Sequence, residues 1–251
     1  MIIRTEAIVL RSIDYGETSQ IVTLFTREKG KFAVMAKGAR RPSSRFGSSL
    51  QPMSYCEVVV YFKGSRSVQT LSESSHVRPF HGLTRSLEGL SYGMRVTELV
   101  YALMQEEERS LGVFNLLLEV LDRLNRATSR FENIIHYFQL RLATVLGFAP
   151  RFDREELERI PGSGGVLSLE TGALRRSDPQ DGGSVRRASR KALRAFAIFA
   201  RADLDAVVRL RLDDRTLAEL SRLVEDFLRY HVEEAYPMRG TRILGSLVGR
   251  R

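Results

Sequence analysis

A cluster of basic residues marks the segment from Lys37 to Arg45, which reads Lys-Gly-Ala-Arg-Arg-Pro-Ser-Ser-Arg. It holds four cations and no carboxylate, and it lies between two stretches whose residue types favour β-strands. Gly38 and Pro42 keep it from extending either strand, so the cations project from a fixed scaffold into solvent. Phosphate groups are the simplest ligands for such a surface. Taken alone, the loop is explained equally well as a solvated surface that keeps the protein soluble.

The charge of the whole chain favours an acidic partner. Among 251 residues, 39 are Lys or Arg and 30 are Asp or Glu, which gives a formal net charge of +9. Residues 1–80 carry 12 basic against 6 acidic side chains, residues 81–150 carry 7 against 8, and residues 151–251 carry 20 against 16. The basic surface therefore begins near the N-terminus, and nucleic acid or anionic lipid is the kind of partner that this charge predicts.

The N-terminal part has the residue pattern of a small β-barrel. Five short apolar stretches are separated by turns, most of which supply a Gly, and they cover residues 7–10, 21–25, 32–35, 55–62 and 68–71. Five strands within about 80 residues predict an OB-fold, whose strand 2–3 face and loops can bind oligonucleotides. An SH3-like barrel would give a similar string of strands, so the pattern alone leaves both barrels open.

A helical region follows. After Pro79 the apolar residues recur with a period of about 3.6, which predicts packed amphipathic helices over 87–103, 114–121 and 134–145. Gly147 and Pro150 end the third helix, and residues 151–183 read as an irregular insertion. Helices resume over 189–200 and 213–231, and both Asp213 and Asp214 are placed to cap the latter. We therefore predict an α+β multi-domain protein, with an OB-fold domain at 1–80 and a helical domain at 81–251 that the insertion at 151–183 interrupts.

The usual signatures of catalysis are absent from the sequence. It contains no phosphate-binding loop of the Gly-x-x-x-x-Gly-Lys-Ser/Thr type, no nucleophile elbow and no His-Glu-x-x-His pair. The four histidines are scattered, and each is expected to be structural: His76, His81, His136 and His231. No enzymatic activity and no cofactor are therefore expected.

Cysteine usage and hydropathy bear on the cellular compartment. Cys56 is the single cysteine, which excludes an internal disulfide and a four-cysteine metal site, and its strand position predicts a thiol buried in the barrel core. No apolar run reaches the ~18 residues of a membrane span, and the N-terminus leads straight into a strand rather than a signal peptide. We expect a soluble cytoplasmic protein that has no contact with a membrane.

Two further groups of side chains have alternative interpretations. Phe46 follows Arg45 directly, Tyr15 lies in a turn and Tyr61 lies on an outer strand face, so these rings could stack on bases; most aromatic residues of a barrel, however, belong to its core. The run from Glu106 to Glu108 is interpreted as the solvated end of a helix, and an acidic surface for a basic partner is the alternative.

Several motifs resemble the bacterial RecO family of DNA repair proteins. They are Asp14-Tyr15-Gly16-Glu17, Ile21-Val22-Thr23-Leu24-Phe25-Thr26, Gly30-Lys31, the whole segment from Lys37 to Phe46, Leu50-Gln51-Pro52, Gly147-Phe148-Ala149-Pro150 and Phe227-Leu228-Arg229-Tyr230-His231. The resemblance spans nearly the whole chain, and the N-terminal motifs are the most specific. It implies an N-terminal OB-fold followed by a helical domain.

The resemblance also implies a function. RecO-like proteins are recombination mediators that bind single- and double-stranded DNA and anneal complementary strands. The partners that the resemblance implies are a RecR-like protein, the single-strand-binding protein and, indirectly, RecA, which the mediator helps to load on coated DNA. The implied location is the bacterial cytoplasm, with association with the nucleoid during repair.

The insertion departs from the family pattern. Many relatives carry two Cys-x-x-Cys pairs there, and at the corresponding positions this chain has Glu155 with Glu158 and Ser168 with Thr171. Two carboxylates and two hydroxyls suit zinc poorly, because zinc prefers thiolate and imidazole ligands. We therefore predict no structural zinc.

The predicted nucleic-acid interface is centred on the basic loop. The loop cations are expected to contact phosphates and the ring that follows them to stack on a base: Lys37, Arg40, Arg41, Arg45 and Phe46. Three more cations would extend this track if the barrel brings their turns near the loop: Lys31, Lys63 and Arg66. Whether a second basic cluster contributes is left open by the sequence: Arg186, Arg187, Arg190, Lys191 and Arg194.

Two other functional classes remain. An RNA-binding OB protein, such as a ribosome-associated factor, fits the charge and the strand pattern equally well. An enzyme acting on nucleic acid, with a metal held by Glu155, Glu156 and Glu158, is the other, although clustered carboxylates are usually solvated.

Overall fold

The computed structural model describes residues 1–177 and 183–232. Within these residues the chain forms two compact units, of which the first is Met1–Ser129 and the second begins at Arg130. The two units are described one after the other.

A closed five-strand barrel dominates the first unit. Its strands are β1 (Ile2–Tyr15), β2 (Ser19–Thr26), β3 (Gly30–Ala36), β4 (Tyr55–Tyr61) and β5 (Val68–Arg78). They follow the order β1-β2-β3-β5-β4, and β4 pairs back onto β1. Every neighbouring pair is antiparallel except β3 and β5, whose parallel register joins Ala33 to Val68 and Met35 to Thr70. This order makes the barrel OB-like, as predicted.

The alternation of side chains decides which residues face the barrel core. In β3, Phe32 and Val34 are buried, whereas Lys31 and Met35 on the opposite face are partly exposed. Cys56 of β4 has no exposed surface and lies in the core cluster, which confirms its prediction. The alternation along β4 therefore identified the inward position of Cys56 correctly.

Two helices complete the first unit. After a 3₁₀ turn at His81–Thr84, α1 spans Leu87–Leu103 and α2 spans Leu111–Arg126. Each begins at a serine whose hydroxyl accepts a backbone hydrogen bond from the third residue of the helix, at Ser86 and at Ser110. α1 packs against β1, and α2 contacts the barrel through aromatic rings, so the compact unit extends past the barrel strands. The predicted division into domains at residue 80 stays a prediction.

The second unit is mainly helical. It contains α3 (Phe131–Val145), α4 (Arg154–Arg159), α5 (Arg190–Arg201), α6 (Leu204–Arg209) and α7 (Asp214–His231). Helix α3 packs against α5, α6 and α7, and the Asp213 side chain caps α7 by accepting a hydrogen bond from the Thr216 N–H at 2.9 Å, as predicted. No helix in the described part of the chain is long and apolar enough to cross a lipid bilayer.

The insertion has more regular structure than the sequence suggested. Helix α4 is followed by a three-stranded sheet of β6 (Gly165–Ser168), β7 (Leu174–Arg175) and β8 (Val185–Ala188), in the order β7-β6-β8. Within the stretch predicted to be irregular, 151–183, α4, β6 and β7 are regular and the other described residues form turns or irregular segments, whereas residues 178–182 lie outside the described part of the chain. Strands of two to four residues, one of which reads Val-Arg-Arg-Ala, give no alternating pattern that a sequence could reveal.

Candidate nucleic-acid interface

The connection between β3 and β4, residues 37–54, closes one end of the barrel. Phe46 and Leu50 point into the core, and each is only 3% exposed. The Ser49 hydroxyl donates to the Phe46 carbonyl oxygen at 2.6 Å and lies 2.8 Å from the Ser74 hydroxyl of β5. The second half of the connection thus packs into the barrel core, whereas the basic first half lies on the surface.

Phe46 does not occupy the position that was predicted for it. Its ring belongs to the barrel core, so stacking on a base would require the ring to leave that core. The sequence could not separate the two outcomes, because an aromatic residue after a basic run suits either. Phe46 is therefore a core residue and not part of the exposed basic surface.

Arg40 is held by the neighbouring β1–β2 hairpin. Its guanidinium donates to the carbonyl oxygens of Gly16 and Glu17, both at 3.2 Å, and its Nε lies 3.1 Å from Asp14 Oδ2. The Arg40 backbone N–H also donates to the Thr18 carbonyl oxygen at 2.9 Å. Because three acceptors already surround the guanidinium, Arg40 fixes the loop against the hairpin, and its charge is partly neutralised there.

The other three loop cations are open to solvent. Lys37, Arg41 and Arg45 are exposed, and none of them forms an ion pair with any residue that the structure describes. The Arg45 guanidinium lies 5.1 Å from the centroid of the Phe46 ring, a cation–π contact that leaves its charge uncompensated. Three free charges on a pinned loop form a positive surface, which we call the loop site (Lys37, Arg41 and Arg45).

Lys31 has a different environment. Its Nζ donates to the Tyr101 carbonyl oxygen at 2.7 Å and lies 5.0 Å from the centroid of the Tyr101 ring. Burial lowers the pKa of the Lys31 ammonium group, and the Glu106 carboxylate partly offsets this effect. The ammonium group is thus bound by Tyr101 near the end of α1, and Lys31 does not extend the loop site.

Lys63 and Arg66 lie in the β4–β5 connection, away from the loop site. This connection leads into the start of β5, which runs parallel to β3 with Val68 beside Ala33. The loop site instead follows the end of β3. The two sets of cations therefore lie at opposite ends of the barrel, and the structure does not join them into the track that was conditionally expected.

The second basic cluster is mostly engaged within its own unit. Arg186 pairs with Asp226 at 2.6 Å and Lys191 with Asp213 at 3.6 Å, while Arg190 donates to the Glu158 carbonyl oxygen at 3.2 Å. Arg187 also has an interaction partner, and Arg194 is exposed. These contacts give most of the cluster a structural role in the second unit.

The candidate reactive groups have structural surroundings. Burial raises the pKa of the Cys56 thiol to about 11, which keeps it protonated at neutral pH. The His136 ring nitrogens lie 3.3 Å from Gln139 Oε1 and 2.9 Å from Ser221 Oγ, and the His231 ring stacks on Phe148 with centroids 4.7 Å apart. Among the described residues, no group of three or more His, Cys, Asp or Glu side chains is arranged to hold a metal ion.

The four residues at the positions that the resemblance implied for zinc-binding cysteines make other contacts. Glu155 pairs with Arg159 at 3.0 Å and Glu158 with Arg154 at 3.3 Å, each one turn along α4. The Ser168 and Thr171 hydroxyls lie 3.1 Å apart in the turn between β6 and β7. The absence of structural zinc stays a prediction, and this donor set does not fit that metal.

Sequence reasoning missed one residue that shapes the β4–β5 connection. Gln69 is 1% exposed, and its side-chain amide makes three hydrogen bonds to the backbone of Lys63 and Arg66. The feature of the sequence that could have revealed this role is a polar residue at an inward position of β5, between the partly exposed Val68 and Thr70. An inward amide in a barrel strand needs partners, and a turn can supply them.

These features define an OB-like barrel with a positive surface at one end, followed by a helical unit. Two family models match the sequence: one described as Recombination protein O N terminal covers residues 1–80, and one described as Recombination protein O C terminal covers residues 84–239. The chain therefore belongs to the RecO family, as the sequence motifs predicted.

Individual relatives align along the whole chain. The DNA repair protein RecO of Salinibacter ruber is 53% identical over 252 residues, which cover 100% of this chain and 96% of that protein. The DNA repair protein RecO of Chloroherpeton thalassium is 32% identical, with 99% of this chain and 100% of that protein aligned. The protein of the same name from Chlorobium limicola is 28% identical over the full length of both.

Proposed function

We propose that this protein is a non-enzymatic recombination mediator of DNA repair in the bacterial cytoplasm. It binds single- and double-stranded DNA and anneals complementary strands. With a RecR-like partner, it helps to load RecA on DNA coated by the single-strand-binding protein. Membership in the RecO family and the names of the relatives support this proposal.

The observation that carries the proposal is the loop site. Three exposed cations, unpaired within the described part of the chain, stand on a loop that Arg40 and the buried Phe46 hold in place. Such a surface binds phosphates by releasing counterions, so affinity depends steeply on salt and little on base sequence. The same charges screen two anionic strands, which lowers the repulsion between them and favours annealing without covalent chemistry.

The test replaces two loop cations in the full-length protein. Lys37→Ala combined with Arg41→Ala is expected to weaken the binding of single-stranded DNA and to reduce the slope of log affinity against log salt by about two units, roughly one per lost phosphate contact. Arg154→Ala removes a cation of which 84% of the side chain is exposed in α4 and serves as a control that should leave the slope unchanged.

Two outcomes would contradict the proposal. An unchanged slope in the double variant would mean that the loop site does not contact DNA. Strong preference for RNA over single-stranded DNA of the same length, measured by competition, would favour the RNA-binding alternative. We also expect labelled DNA to stay intact when it is incubated with the protein and magnesium, because Glu155 and Glu158 are engaged in ion pairs.

We assign the contacts with protein partners to the helical part of the chain. The sequence of residues 81–150 is nearly neutral, with 7 basic against 8 acidic side chains, so it is less suited to DNA than the barrel. The loop-site double variant should therefore still bind a purified RecR-like protein with unchanged affinity. Loss of that binding would place the partner on the loop instead.

A further inference from the structure

The β4–β5 connection is a built surface rather than a loose turn. The Lys63 N–H donates to Gln69 Oε1 at 2.8 Å, and Gln69 Nε2 donates to the carbonyl oxygens of Lys63 at 3.2 Å and Arg66 at 2.7 Å. Because Gln69 is buried, these bonds hold the turn from the inside of the barrel. Lys63 and Arg66 are thereby presented together on its exposed side, with no ion pair among the described residues.

Exposed apolar groups lie directly beside these two cations. Tyr61 is 52% exposed and Ile2 is 63% exposed, although both belong to the barrel wall. With Met1 and Phe62 they line one open cleft together with Lys63 and Arg66. A cleft that offers an aromatic ring and two free cations combines the two features that single-stranded nucleic acid recognises, a face for a base and charges for phosphates.

The other end of the barrel carries the same combination independently. Tyr15 of the β1–β2 hairpin is 55% exposed, and Arg40 joins that hairpin to the loop site. Strand β1 runs from one end to the other, because Ile2 at its start pairs with Tyr61 and Tyr15 is its last residue. Each end therefore has its own tyrosine and its own free cations.

The carboxylates nearest along β4 and β5 are paired with an arginine. Glu57 and Glu73 lie further along the outer wall, where Arg4 pairs with Glu57 at 3.1 Å and lies 4.0 Å from Glu73. The cleft itself is lined by no acidic side chain among the described residues. Its charge is thus complementary to phosphate.

We propose that Tyr61, Lys63 and Arg66 form a second site for single-stranded nucleic acid, separate from the loop site, so that one barrel holds two strands at once. This inference rests on the proposed function, since annealing needs two strands on the same protein. A base stacks on Tyr61 while the flanking phosphates contact Lys63 and Arg66. The site selects single strands, because the bases of a duplex are already stacked and cannot reach the ring.

The experiment uses the full-length protein and a fluorescent oligothymidylate of about eight nucleotides, which lies within the range that one OB-fold accommodates. Titration at low salt should give two oligonucleotides per chain for the unmodified protein and one for the variant with Lys37→Ala and Arg41→Ala. In that variant, Tyr61→Ala should weaken the remaining binding by about tenfold, whereas Tyr61→Phe, which keeps the ring, should restore it.

Charge removal gives an independent readout. Lys63→Ala with Arg66→Ala, in the same background, should reduce the salt slope of the remaining binding by about two units. Arg154→Ala is again the matched control. Lys63 and Arg66 are exposed and form no ion pair among the described residues, so circular dichroism and the melting temperature should be unchanged in this variant.

The outcomes separate the second site from the proposed function. One oligonucleotide per chain in the unmodified protein, or complete loss of binding when only the loop site is changed, would overturn the second site and leave the loop site intact. Binding that depends on Tyr61, Lys63 and Arg66 but not on the loop cations would support the second site and contradict the proposed role of the loop.

Discussion

Arg40 and Arg41 are adjacent in sequence and have different roles. The Arg40 guanidinium is surrounded by Asp14 and two carbonyl oxygens of the β1–β2 hairpin, whereas Arg41 is exposed and has no ion pair among the described residues. The sequence pattern cannot distinguish the two arginines, because both lie in the loop that follows Gly38. What separates them is the position of the hairpin, which approaches from a different part of the chain.

This difference leads to a prediction about stability. Arg40→Ala should lower the free energy of unfolding by about 1 kcal/mol, since it removes a partly exposed ion pair and the hydrogen bonds that join loop and hairpin. Arg41→Ala should change it by less than about 0.5 kcal/mol. Urea unfolding measures both values.

Arg40→Lys is the informative control. It keeps the charge but cannot match three acceptors with a planar fork, so its stability should lie close to that of Arg40→Ala. A lysine variant as stable as the unmodified protein would show that charge alone holds the loop.

His231 makes stability depend on pH. Burial against Phe148 and Phe227 lowers its pKa, and Nε2 has no hydrogen-bond partner among the described residues. The unfolded chain therefore binds the proton more readily than the folded chain. Stability should be full above about pH 6.5 and fall as the pH drops below it, by at most about 1.4 kcal/mol per pH unit.

His231→Phe provides the comparison, because it keeps an aromatic ring and removes the titration. Urea midpoints measured between about pH 7 and pH 5 should fall for the unmodified protein and stay flatter for this variant. The pKa values of Asp213 and Glu219 are also lowered in the folded protein. The stability that these carboxylates contribute is lost only as the pH falls below their ordinary pKa values of 3.8 and 4.5, which lie under the pH range of this measurement. Equal slopes for both proteins would exclude His231 as the cause.

At the level of elements, β3 is crossed closely by the segment that follows α1. The Glu107 N–H donates to the Lys31 carbonyl oxygen at 2.8 Å, and a Cβ on Gly30 would lie 2.0 Å from the Glu108 carbonyl oxygen. The acidic run at 106–108 was interpreted as a solvated helix end, and its side chains are indeed exposed. Its backbone nevertheless packs on the barrel, which a charge pattern does not reveal.

Alanine substitutions at two glycines with left-handed backbone distinguish the cost of the close contact with Glu108 from the cost of the backbone conformation alone. Gly16→Ala should cost about 1 kcal/mol, because its φ of +58° is unfavourable for alanine but nothing lies within 4 Å of the new Cβ. Gly30→Ala, at a φ of +64°, should cost at least about 3 kcal/mol, since the backbone of Glu108 must also move. If urea unfolding shows equal losses of unfolding free energy for the two variants, the segment at 106–108 moves aside without an energetic cost.

The insertion gives the second prediction at this level. Its small sheet buries Val166, Leu167 and Leu174, so apolar contacts rather than metal ligands hold it together. We expect elemental analysis of protein purified without added metal to find far less than one zinc per chain, and EDTA to leave the melting temperature unchanged. Stoichiometric zinc, or a lower melting temperature in EDTA, would contradict this expectation.

For the whole molecule, local patterns predicted much of the fold. The alternation in β3 and β4 and the helical period after Pro79 identified five strands and the main helices, and the family motifs indicated an OB-fold. The strands of the insertion were missed because segments of two to four residues carry too few side chains to show a period.

The candidate site could be predicted only as a list of cations. The sequence by itself determined the residue types, the basic loop between two strands and the buried Cys56, since these depend on neighbours along the chain. Only the tertiary structure decided that Phe46 is buried, that Arg40 is engaged and that Lys63 lies at the other end of the barrel. The reason is physical: burial and ion pairing depend on which distant segments meet, as the loop meets the β1–β2 hairpin at Arg40 and the barrel core at Phe46.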